Sequence, residues 1–91
     1  MDSTTKNDIR SWLERGKSEN ARWMIVACDT FDWGDYPVYI EDDPVKFWER
    51  HDGIHGKNMQ KVMEVYDLKM DWETQLNKTR CHNEPPRPTK K

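Results

Sequence analysis

Apolar and polar positions alternate with two different periods along the chain, and their boundaries mark six elements. From about Thr5 to Arg15, Ile9, Trp12 and Leu13 fall on one helical face. Ser3, Thr4 and Thr5 offer N-cap oxygens, Asp8 follows Thr5 at capping-box spacing, and Gly16 is expected to stop the helix. In "RWMIVACDTF" Trp23, Ile25 and Ala27 alternate with Met24, Val26 and Cys28. A strand apolar on both faces is covered on both sides, so it is expected at the centre of its sheet. "DWGD" reads as a turn, with Gly34 available for a positive φ and Asp32 able to bond its own backbone. "YPVYIE" returns as a strand that starts at Pro37 or lies at the sheet edge, because proline cannot donate to a ladder.

"EDDPVKFWERHD" predicts a helix capped by Asp42 or Asp43, with Pro44 in its first turn, Val45, Phe47 and Trp48 as apolar area, and Gly53 and Gly56 ending it. "NMQKVMEVYDL" fits two patterns. Met59, Val62, Met63 and Tyr66 make a helical face, whereas the β-branched residues and the tyrosine favour a strand over residues 61–68, which is the reading adopted. "KMDWETQLNKTR" predicts a terminal helix capped by Asp71, with Trp72, Leu76 and Thr79 on one face. From Asn83 onward "NEPPRPTKK" has three prolines and no other apolar residue, and is expected to be a flexible tail. The order α-β-β-α-β-α predicts one small α+β domain over residues 1–82, a three-stranded sheet with a β-hairpin packed against helices, followed by the tail at 83–91.

Composition sharpens this picture. At 91 residues, 34% hydrophobic and 35% charged, the chain has room for one small core. Its ten aromatic residues can anchor that core from few positions; about half are expected inside, with Trp12, Trp23, Phe31 and Trp48 the first candidates. The net charge of −2 predicts neither nucleic-acid nor membrane binding. Its distribution is uneven: no basic residue lies between Arg22 and Lys46, where Asp29, Asp32, Asp35, Glu41, Asp42 and Asp43 supply six carboxylates, while the end of the chain is basic. No apolar run reaches the ~20 residues of a membrane-spanning helix, and "MDSTTKNDIR" has neither the basic nor the apolar part of a secretion signal. Cytoplasmic residence is the expectation, with Cys28 and Cys81 as free thiols.

The strings "MIVACDTFDWGDYPVYI" and "GKNMQKVMEVYDL", with the later "QL", resemble a family of short bacterial and phage proteins without an assigned activity. The matching residues are Met24 to Val26, Cys28 to Asp32, Asp35 to Val38, Gly56 to Gln60, Val62 to Tyr66 and Leu68, about a quarter of the chain. The resemblance carries over no catalytic or binding residue. The phage occurrence of the look-alikes implies a counter-defence or host-modulating role.

The candidate chemistry concentrates in "CDTFDWGDYPVY". A strand ending in Asp resembles the start of an Asp-x-Asp-x-Thr phosphotransferase loop, but the second Asp comes three residues on and the chain is too short for the usual doubly wound domain. Asp29, Asp32 and Asp35 offer oxygen ligands to Mg²⁺ or Ca²⁺ without the calcium-loop pattern. His51 and His55 are four apart but lack the Glu of a zinc-enzyme motif, and exposed loop histidines are expected; Cys81 and His82 lack paired-cysteine spacing. Cys28 lies where a small hydrophobe is expected rather than a nucleophile. No glycine-rich phosphate loop is present, and the acidic hairpin repels phosphates, so direct nucleic-acid binding is not expected.

Recognition of a protein with a basic surface fits these residues best. Asp29, Asp32, Trp33, Asp35, Tyr36 and Tyr39 would form an aromatic surface rimmed by carboxylates, joined by Lys57 and Asn58, and the edge strand would offer its backbone for a homodimer. No cofactor is implied. Two alternatives stand beside this: a metal-assisted hydrolase using the aspartates with His51 or His55, and a small-nucleotide sponge holding phosphate with Lys57, Asn58 and Lys61.

Overall fold

The computed structural model describes residues 4–31, 34–56 and 59–88. The element order is α1 (Lys6–Ser18), β1 (Trp23–Asp29), β2 (Gly34–Ile40), α2 (Pro44–Gly56), β3 (Gln60–Asp67) and α3 (Trp72–Leu76). The three strands form one antiparallel sheet in the order β2-β1-β3. β1 is therefore central, as its two apolar faces require, and Pro37 sits in an edge strand.

Two cores follow from the alternation of β1. Trp23, Ile25 and Ala27 pack with Val38, Ile40 and Val65 against Phe47 and Ile54 of α2. Met24 and Val26 pack with Tyr66 against Ile9 and Leu13 of α1, Leu76 of α3 and Cys81. A helix on one face and two on the other leave the central strand dry from Trp23 to Cys28.

The register of β3 changes by one residue opposite Val26 and Ala27: Val26 faces Glu64 and Ala27 faces Val62, leaving Met63 unopposed. This bulge puts Val62 and Val65 against one core and Met63 and Tyr66 against the other. The spacing of three within each pair produces the helix-like pattern seen in the sequence.

Local chemistry sets the helix ends. Thr5 and Asp8 form the expected capping box. Gly16 does not stop α1; the helix continues to Ser18, and Asn20, at φ 62°, ends it with Ala21 N–H donating to Gly16 O and Asn20 N–H to Lys17 O. That is the left-handed closure that satisfies the last carbonyls. Asp43 caps α2, its Oδ1 accepting from the N–H groups of Val45 and Lys46. The helix runs through Gly53 and ends at Gly56. Asp71 caps α3 through Thr74, and α3 ends at Leu76, short of Thr79.

One further expectation needs correction. Phe31 is not core but 76% exposed, whereas Trp23, Phe47 and Tyr66 are buried. The segment after α3 is laid against the domain as far as the structure describes it. Val65 N–H donates to Cys81 O and Asn83 N–H to Val65 O, covering part of the outer edge of β3. Further on, Pro85 is buried and Arg87 is paired with Asp52.

Candidate functional site

Asp32, Trp33, Lys57 and Asn58 lie outside the described residues. The flanking parts of the hairpin are well defined. Asp29 closes β1, and its Oδ1 accepts from Phe31 N–H at 2.9 Å, which turns the chain out of the strand and fixes the backbone of Phe31. Thr30 N–H donates to Met59 O at 2.7 Å, bringing the start of β3 beside the hairpin tip. Met59 has φ 66° and is 57% exposed, so two large apolar residues, Phe31 and Met59, emerge at the same end of the sheet.

The other predicted residues separate. Asp35 pairs with Cys28 across the sheet, and its Oδ2 accepts from Thr4 Oγ1 at 2.7 Å on the side covered by α1. Strand alternation puts Asp29 on the opposite side, so these two carboxylates diverge. Among the described residues, no group of three or more His, Cys, Asp or Glu side chains is placed to share a metal ion. Burial pushes the Cys28 thiol above its ordinary range, with Asp35 adding to the effect, which disfavours a thiolate there.

Tyr36 and Tyr39 also face opposite ways. Tyr36 packs on the α2 side and donates through its hydroxyl to Gln60 Oε1 at 3.1 Å. Tyr39 packs on the α1 side and donates to the carbonyl of Trp12 at 2.7 Å. Both rings are half-buried and spend their hydroxyls inside the fold.

The acidic stretch divides as well. Asp29 and Asp35 lie at the tip, whereas Glu41, Asp42 and Asp43 lie beyond the far end of β2, about 20 Å away along a seven-residue strand. There Glu41 pairs with Lys46, Asp42 with Arg22, and Asp43 caps α2. The tip therefore keeps only part of the negative charge that the sequence suggested.

His51 is the clearest departure among the titratable candidates. Both His51 and His55 lie on α2, with ring centroids 4.9 Å apart, but His51 is only 8% exposed, beside Phe47 and Trp48. Burial lowers its pKa, and His55 adds to the lowering, while Asp52 and Glu84 oppose it. Gln75 is a buried polar residue that sequence reasoning did not single out. Its Oε1 accepts from Asp67 N–H and Asn83 Nδ2, and its Nε2 donates to Asp67 O and Asp71 O, tying α3, β3 and the following segment together.

No family model, curated protein or solved structure matches the chain.

Proposed function

We propose that the protein is a non-catalytic binding protein that recognises a protein partner with a basic surface through the tip of its β1–β2 hairpin. The observation that carries this reading is Phe31. A small domain with few apolar residues leaves a phenylalanine 76% exposed while a side-chain bond from Asp29 fixes its backbone. An exposed aromatic ring next to a carboxylate is an anchor of the kind that dominates interface energetics, with the charge steering a basic partner towards it. Met59 extends the apolar area, and Asp32 and Trp33 follow Phe31 directly in the sequence. A role in modulating a host or defence system would be exercised through this same surface.

Two substitutions test the reading. Phe31→Ser removes the anchor from an exposed position, where the stability cost is within about 0.5 kcal/mol. Asp29→Asn keeps an acceptor for Phe31 N–H and removes the charge. Affinity capture with wild type and both variants should retain a basic protein that Phe31→Ser loses and Asp29→Asn holds more weakly, with the difference narrowing as salt rises. Identical sets of retained proteins from all three would refute the proposal.

A further inference from the structure

Outside the hairpin, the outer face of α2 carries a second recognition geometry. Trp48 Nε1–H donates to the carbonyl oxygen of Pro85 at 3.1 Å. Two residues later the Arg87 guanidinium lies 4.0 Å from the centroid of the same indole ring. Its two terminal nitrogens reach both oxygens of Asp52, at 3.0 and 3.1 Å. One tryptophan edge, one tryptophan face and one carboxylate thus read a backbone carbonyl and an arginine in a fixed spatial relation. Around them is an open hollow of about 500 Å³, lined by Val45, Trp48, Glu49, Asp52, Arg87 and Pro88.

The bound segment suits this role. In "EPPRP", Glu84, Pro85 and Arg87 each precede a proline, which biases all three away from helical backbone, and the prolines fix their own φ. Such a segment is extended before it binds, so little chain entropy is lost on docking. The receptor side is acidic through Glu49 and Asp52, matching the arginine. Planar bidentate pairing and stacking both favour Arg over Lys. Arg87 and Asp52 remain more than half exposed, so the contact is accessible to a competitor.

We propose that Trp48 and Asp52 form a docking site for a proline-rich peptide carrying arginine, and that the chain's own Glu84–Pro88 segment occupies it in cis. A partner segment of the same chemistry displaces this strap. The site lies on α2, away from the hairpin tip, and stands or falls independently of the function proposed above.

The probe is a fluorescent peptide of sequence NEPPRPT, residues 83–89, titrated by anisotropy against full-length chains. A tethered occupant competes at an effective concentration on the order of millimolar. Replacing Arg87 by Ser in the full chain weakens that competitor, so the peptide should bind the Arg87→Ser chain about tenfold more tightly than wild type. Adding Asp52→Arg should abolish this binding, and a peptide with Glu in place of its Arg should regain it. That charge reversal separates recognition from misfolding of the variant. Trp48→Phe, which keeps a ring but loses the indole N–H, should weaken binding several-fold. Equal binding of the original peptide to the Asp52→Arg chain, or no binding to the Arg87→Ser chain, would overturn the proposal and leave the strap a structural element only.

Discussion

The backbone of Gly16 lies flush against the ring of Tyr39. A Cβ added at Gly16 would stand 2.8 and 2.9 Å from Tyr39 Cε1 and Cδ1, and 3.0 Å from Leu68 Cδ2. Tyr39 cannot simply swing away, because its hydroxyl is bonded to Trp12 O one turn earlier on α1. Glycine is present here for close approach of helix to sheet. Gly16→Ala should therefore destabilise, with a steric cost of about 1–3 kcal/mol only partly offset by about 1 kcal/mol of helix propensity. Tyr39→Phe, which removes only the hydrogen bond, should cost about 1 kcal/mol. Thermal melts of both variants check the order.

Gln75 should be among the least replaceable polar residues. It is 1% exposed, and Nε2 faces the carbonyl oxygens of Asp67 and Asp71. Gln75→Glu keeps the shape but turns a donor into a buried acceptor or charge facing those carbonyls. A loss of about 3 kcal/mol or more is expected, whereas Gln75→Met should lose about 1–3 kcal/mol by leaving Asp67 N–H unpaired, since Asp67 O and Asp71 O keep the N–H groups of Met70 and Gln75. Urea unfolding measures both. A loss below 1 kcal/mol for either would show that water replaces the amide.

Arg22 neutralises a buried carboxylate. Its Nε and Nη2 reach the two oxygens of Asp67 at 3.0 and 3.2 Å, and Asp67 is 6% exposed. The guanidinium also lies 4.7 Å from the Trp23 ring centroid and pairs with Asp42. Arg22→Ala strands Asp67 and should cost about 3 kcal/mol, while Arg22→Ala with Asp67→Asn should recover part of it. A strictly additive double mutant would contradict the coupling.

His51 gives the fold a pH dependence of known sign. Burial beside Phe47, Trp48 and His55 holds its pKa below the ordinary imidazole value of 6.5. The unfolded chain then takes up this proton at higher pH than the folded one, so stability is full above about pH 6.5 and falls as pH drops towards the folded pKa. The urea midpoint should decline from pH 7.5 to 5.5, and His51→Gln should flatten that decline whatever it does to the midpoint at pH 7.5.

Much of this fold was legible because local and tertiary demands agree. The doubly apolar "WMIVAC" could only be a central strand, and Thr5 with Asp8 had one structural meaning. "VMEVY" was ambiguous because a bulge at Met63 replaces the period of two with a spacing of three. Gly16 reads as a stop in the sequence since a packing glycine and a terminating glycine look alike there; Asn20, which closes the helix, is marked by its left-handed φ. The site was less legible still. Tyr36 and Tyr39 are neighbours in sequence but, three apart on a strand, they point to opposite faces, and the carboxylates from Asp29 to Asp43 are spread along the length of β2. The docking of Pro85 and Arg87 depends on Trp48 and Asp52, more than thirty residues away, and composition alone gave no sign of it.

The most direct test of recognition at the hairpin tip is photocrosslinking from a benzophenone amino acid placed at position 31, with position 14 on the exposed face of α1 as control. Recognition at the tip predicts an adduct with a basic protein from position 31, absent from position 14 and diminished by Asp29→Asn. No adduct from position 31, or the same adducts from both positions, would contradict it.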